Sequence, residues 1–243
     1  MGSDKLDTVR KLLAKADGAA TTAEAQAYTA KAVELMARHG IDAALLAAAH
    51  PGRDEIGAQR LAMDDPYSAG KARLLAWTAS ALRCRAVLHE AWGGKVAAVT
   101  VFGFASDRER VEVLYTSLLL QAGGQLVRQR PSRPGESVAA YRRSWLHGFA
   151  VEVHRRLVDA ESGAARAADG APAATPDGRS LALVLADRTD RVDRAYAEAF
   201  PTVGRARRSA LSGSGYAAGS AAGERADLGR GAVTSARQQA LGA

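Results

Sequence analysis

Apolar residues at Leu6, Val9, Leu12, Leu13 and Ala16 recur at intervals of three and four, which places them on one face of a helix that stops at Asp17-Gly18. Thr21-x-x-Glu24 reads as a capping box, in which a hydroxyl and a carboxylate satisfy the first free amides of a new helix. Ala25, Tyr28, Ala32, Leu35 and Met36 then form the apolar stripe of that helix, and His39-Gly40 is expected to end it. A short third helix over Ile41–Ala49 completes an N-terminal helical domain, residues 1–49.

From His50 to Ala69 no period is visible, and the stretch reads as a surface connection. Lys71–Leu82 is expected to be helical, burying Leu74, Leu75 and Trp77. Cys84–Trp92 and Lys95–Phe104 are β-branched and apolar runs around Gly93-Gly94, the signature of a two-residue hairpin turn. Counting outward from that turn pairs Leu88 with Val99 and Ala86 with Val101 on the core face. A second capping box, Ser106-x-x-Glu109, opens a helix with Val111, Tyr115, Leu118, Ala122 and Leu126 on one side. Another helix over Glu136–Ala160 buries Val138, Tyr141, Trp145, Phe149 and Val153, so that residues 66–161 form a body of hairpin plus helices.

Low-complexity residues 162–180 read as a flexible linker. Beyond it, in residues 181–243, come a short strand (Leu181–Leu185), a helix (Asp190–Phe200) and a glycine-rich helix packing back on the body. Helices and a small antiparallel sheet in this order predict an α+β fold, an N-terminal helical hairpin followed by a mainly helical body.

Leu6-Asp7-Thr8-Val9-Arg10-Lys11-Leu12-Leu13-Ala14-Lys15-Ala16, with the later run Leu35-Met36-Ala37-Arg38-His39-Gly40-Ile41-Asp42, resembles the helical pair known as domain of unknown function 2786. Phe102-Gly103, Leu114-Tyr115, Ser144-Trp145-Leu146-x-Gly148-Phe149-Ala150 and the late glycine run are similar to the C-terminal region that accompanies it. The resemblance implies a bacterial, notably actinobacterial, or phage setting. It brings no catalytic residues, because the family carries no agreed activity.

Charge changes the picture more than composition does. Of a net charge of +7, residues 1–122 contribute +1 and residues 123–243 contribute +6, with every basic residue beyond Lys95 an arginine. Arginine meets two phosphate oxygens at once through its planar fork. Arg128, Arg130, Arg133, Arg142 and Arg143 cluster around one turn, and Arg205, Arg207 and Arg208 form a second group; both are candidate phosphate contacts. With a sequence pI near 9.8, the expected partner is DNA or RNA.

Catalysis has little to stand on. The single cysteine, Cys84, excludes a cysteine-based zinc site, and the five histidines show no His-Glu-x-x-His spacing. A phosphate-cradling Gly-x-x-x-x-Gly-Lys motif, a Gly-x-Ser-x-Gly elbow and a complete dinucleotide fingerprint are all missing, so no cofactor is expected. Asp64-Asp65 and Asp187/Asp190 fit loop and helix-start positions better than general acid–base work. His147 and His154 lie two turns apart on one helix, about 10 Å along its axis, too far to share a metal unaided.

Gly215, Gly219 and Gly223 recur every four residues and form a bare helical stripe that lets another backbone approach closely. No apolar run is long enough to span a membrane and no secretory leader is evident, so a cytoplasmic protein is expected. The leading reading is a non-enzymatic nucleic-acid-associated protein. Two alternatives stand beside it: a protein-interaction module using the helical pair or the glycine stripe, and an unrecognised metal-dependent hydrolase built on His147, His154 and a carboxylate.

Overall fold

Gly93 and Gly94 adopt φ of 75° and 74° and reverse the chain between two antiparallel strands. The computed structural model describes residues 2–17, 21–50, 52–169, 179–204 and 212–226. Within these the order is α1 (Gly2–Asp17), α2 (Thr22–Ala49), β1 (Ile56–Ala62), α3 (Ser68–Ala81), β2 (Arg85–Ala91), β3 (Lys95–Phe104), α4 (Ala105–Leu126), α5 (Val138–Asp169), α6 (Leu181–Ala199) and α7 (Tyr216–Arg225). The α+β class read from the sequence is the observed one.

Leu88 faces Val99 and Ala86 faces Val101, the register the sequence predicts. The turn itself differs: it takes three residues, Trp92–Gly94, and an irregularity between His89 and Glu90 restores the alignment. Sequence reading missed β1, which pairs antiparallel with β3 and makes β3 the central strand. One side of β1 is open, with Ala58, Arg60 and Ala62 exposed, so it lacks the apolar alternation that marks a half-buried strand. A nearly all-apolar β3 could have signalled it, since a strand buried on both faces needs hydrogen-bonding partners along both edges.

Four further expectations are corrected. First, α2 runs through His39-Gly40 to Ala49 without a break. Gly40 serves close approach there, because a Cβ would collide with the Arg110 guanidinium, lying 3.0 Å from its Nε. Second, the Ser106 capping box does not form: α4 starts at Ala105, and Asp54 reaches across to accept from the Ser106 amide at 3.1 Å and its hydroxyl at 2.6 Å. Third, α5 continues through the first eight residues assigned to the linker, as its alanines favour; residues 170–178 lie outside the described residues. Fourth, Leu181–Leu185 is helix, not strand. Ser180 caps α6 by accepting from the Leu183 amide at 3.3 Å, and Leu181, Val184, Arg188 and Val192 form its buried stripe.

The other expected cap, Thr21, does accept from the Glu24 amide at 3.1 Å. Leu6, Val9, Leu13, Ala32 and Met36 of the first two helices share one apolar core with Leu74, Val99, Val101, Trp145 and Phe149. On the other face of the sheet, Phe102, Phe104 and Val192 form a smaller cluster that seats α6.

These contacts give the molecule two ends. At the hairpin end, the Val96 amide donates to Ser68 Oγ and Lys95 pairs with Asp65 at 2.6 Å, which fixes the start of α3 beside the turn. Leu146 packs on Gly70, so the early turns of α5 lie at that end too. α4 climbs toward it, through Gln59 to Glu112 and then Met63 to Tyr115. The opposite end holds Phe104, the start of α4 and the end of α3.

Cys84 lies at that opposite end, fully buried, and burial pushes its thiol up to about 12. Only the thiolate is nucleophilic. Alkylation at pH 8 should therefore be slow in the native protein and fast in denaturant; rapid labelling of the native chain would contradict this burial.

Candidate nucleic-acid interface

The arginines divide sharply into two groups. One is interior. Asp107, buried on the first turn of α4, contacts Arg110 at 3.0 Å, Arg188 at 2.9 Å and Arg83 at 3.7 Å. Arg83 and Arg110 also pair with Glu161 of α5, the former at 3.1 Å. Arg188 reaches Asp54 at 2.8 Å, and its guanidinium lies 3.8 Å from the Phe104 ring centre. Three carboxylates thus face three guanidiniums. The cluster ties the loop before β1, the end of α3, the start of α4, α5 and α6 together.

Backbone geometry at Arg83 shows how firmly this arrangement is held. Its amide donates to Ser80 O and the Cys84 amide to Ala79 O, a Schellman ending for α3 in which Arg83 takes the left-handed position, φ 62°. Glycine ordinarily stands there. Arg83 holds this backbone while its side chain reaches Glu161 at 3.1 Å and Asp107 at 3.7 Å.

Other arginines of the basic half are also structural. Buried Arg156 donates to Gly223 O at 2.7 Å and to Ala226 O, closing the last turn of α7. Arg155 pairs with Glu152 at 2.5 Å and Asp159 at 3.0 Å. A +6 total therefore overstates what is available to a ligand.

The second group is the one the sequence singles out. Arg128, Arg130 and Arg133 lie on the segment joining α4 to α5, and Arg142 and Arg143 lie on the second turn of α5, across from it. Arg130 donates to Val127 O and Gln129 O, both at 3.0 Å. Arg142 donates to the same two carbonyls, at 2.5 and 3.1 Å. Two guanidiniums thus converge on carbonyls just past the C-terminus of α4, where the helix dipole favours positive charge. Each keeps further N–H groups for a ligand, since guanidinium has five.

Arg128, Arg133 and Arg143 are exposed. Glu136, the nearby carboxylate, accepts from the Ser214 amide at 2.7 Å and its hydroxyl at 2.8 Å. These bonds, with Arg133 adding to them, hold its carboxyl below the usual range. Ser214 is thereby engaged within the chain. Arg205, Arg207 and Arg208 lie outside the described residues.

Gly215, Gly219 and Gly223 face α5. A Cβ at Gly219 would strike the Trp145 carbonyl, lying 2.9 Å from Trp145 Cα, and one at Gly223 would come 2.8 Å from Glu152 Cβ. Gly148 on α5 returns the contact, with a Cβ there only 2.9 Å from the Ser220 amide nitrogen. The two helices meet backbone to backbone.

His147 and His154 flank Trp77, at ring-centre distances of 5.4 and 6.1 Å. His154 Nδ1 donates to Trp77 O at 3.0 Å, and burial with Arg73 nearby pushes the His147 imidazole below its usual range. Among the described residues no three His, Cys, Asp or Glu side chains converge as a metal site. Asp65 is engaged by Lys95 and Ser68, while Asp187 and Asp190 are exposed on α6. No described helix is long and apolar enough to cross a membrane.

Residues 5–43 match the family model described as protein of unknown function (DUF2786). No curated protein and no solved structure matches the chain. The DUF2786 segment covers α1 and most of α2, and its Gly40 is the residue that admits Arg110. The segment thus packs against the ionic cluster through Gly40.

Sequence reading missed the interior cluster. A signal existed: Asp107 and Arg110 occupy the same helical face as Val111 and Leu114, charged positions within an apolar stripe. Their partners, from four other segments, are not visible in any local pattern.

Proposed function

We propose that this protein binds nucleic acid through its phosphates, without catalysing a reaction, at the end of the molecule where α4 meets α5. One observation carries the proposal: Arg128, Arg130, Arg133, Arg142 and Arg143 lie on the α4–α5 connection and the second turn of α5, Arg130 and Arg142 share the Val127 and Gln129 carbonyls, and none of the five is in an ion pair among the described residues. Exposed guanidiniums held by backbone carbonyls are preorganised, which lowers the entropic cost of binding phosphate. The resemblance to the domain of unknown function 2786 family, which implies a bacterial, notably actinobacterial, or phage setting, supports a cytoplasmic protein among nucleic acid.

Affinity for duplex and single-stranded DNA measured across a salt series tests this. Log affinity should fall linearly with log salt, and replacing Arg142 and Arg143 with glutamine should make the duplex slope shallower by about 0.9 for each phosphate no longer neutralised. An unchanged slope in the double variant, with its fold intact by circular dichroism, would place the binding elsewhere. No measurable binding by the wild-type chain at low salt would favour the interaction-module reading.

A further inference from the structure

Trp92 is 96% exposed at the tip of the β2–β3 hairpin. The turn does not need it: the positive φ angles fall on Gly93 and Gly94, and Trp92 itself starts the reversal from extended backbone at Ala91. No aromatic or cationic partner contacts its ring among the described residues. A bare indole at a hairpin tip is an available stacking surface. Its sequence neighbours are Glu90, Ala91, Gly93, Gly94 and Lys95, which offer no second large apolar group for inserting into a lipid surface.

Behind the tip, the outer face of the sheet carries Arg60, exposed on β1 and in no ion pair among the described residues. Beside it His89 bonds Thr100 Oγ1 at 2.8 Å, and burial together with Arg60 pushes the imidazole below its usual range. α6 covers only the far part of that face, around Phe102 and Phe104. The turn lies at the same end of the molecule as the arginines of α4 and α5.

From the exposed indole and the shared end, we infer that Trp92 stacks on an unpaired base, so that the ligand is single-stranded nucleic acid. The inference rests on the phosphate-binding reading and adds to it: arginines meet the backbone and Trp92 meets the base. Stacking on an aromatic side chain is tolerant of sequence, and a base locked in a duplex does not offer its face.

Trp92 also provides the readout. Of three tryptophans, Trp145 is fully buried, Trp77 is half-buried between two histidines and Trp92 alone is almost wholly exposed, so the red edge of the emission reports chiefly on Trp92. Titrating the full chain with oligo(dT) should quench that emission, and a duplex of equal length should not. Trp92→Ala should abolish the quenching and weaken oligo(dT) binding about 5- to 150-fold, the range given by stacking of one base. Its duplex affinity should be unchanged, and Trp92→Phe should retain most of the oligo(dT) affinity.

If Trp92→Ala binds oligo(dT) as tightly as wild type, the stacking role is overturned while the arginine reading stands. If the wild-type chain binds neither nucleic acid, both fall. Quenching by phosphatidylserine vesicles with none by oligo(dT) would instead assign the tip to a membrane surface.

Discussion

Replacing Asp107 with alanine is expected to destabilise the fold by about 3–5 kcal/mol, the usual cost of leaving buried charges without their counter-ion. Among the described residues, Asp107 is the one carboxylate that touches Arg83, Arg110 and Arg188 together, and Arg110 is fully buried. Without it, Glu161 and Asp54 remain as two acids facing three guanidiniums. Urea denaturation checks this, and a destabilisation below about 1 kcal/mol would show that the cluster relaxes or hydrates freely.

The same residue sets an acid limit. Burial by itself would raise the Asp107 carboxyl, but Arg110, Arg83 and Arg188 outweigh it and hold the group below the ordinary carboxylate range. A group depressed in the folded state contributes its full stability above the unfolded value, near pH 4, and loses that contribution as pH falls below it toward the folded value. Raising the pH leaves it intact. Stability of the wild type should therefore drop steeply below about pH 4, and the alanine variant should show a shallower decline there.

The second large effect is expected at Gly219. An added methyl would overlap the Trp145 carbonyl, part of a helix backbone that cannot rotate aside. Gly219→Ala should cost about 3 kcal/mol, the upper part of the overpacking range, although alanine is the better helix former by about 1 kcal/mol. A melting temperature lowered by roughly 6–12 °C is the corresponding shift for a chain of this size. Gly124→Ala on α4 is the control: nothing lies within 4 Å of its added Cβ, so helix propensity alone acts and stability should rise. Equal behaviour of the two variants would mean that α7 does not seat on α5 as described.

Much of the fold was legible where local chemistry decides it. The hairpin register followed from two glycines and alternating apolar positions, and the helices over Lys71–Leu82 and from Ser106 to Leu126 followed from their stripes. Errors arose where a distant partner overrides the local signal. Gly40 looks like a stop because glycine is a poor helix residue, yet Arg110 occupies the space a side chain would fill. Leu181–Leu185 looks like a strand because short apolar runs suit either structure, and the decisive Arg188 is a charged residue on a buried stripe.

The candidate site divides in the same way. Arginine clustering between residues 128 and 143 is a sequence fact, and both flanking helices bring those positions to one corner whatever else the chain does. Arg83, Arg110, Arg156 and Arg188 look no different in sequence, and only the fold shows them engaged inside.

By itself, the sequence determined most of the helical segments, the pairing of β2 with β3, and the excess of positive charge, because these depend on residues close together in the chain. Tertiary structure alone decided which arginines remain available for a polyanion and which are balanced by Asp54, Asp107 and Glu161. A guanidinium is neutralised by whatever lies within a few ångströms of it, and those neighbours are up to 134 residues away in sequence.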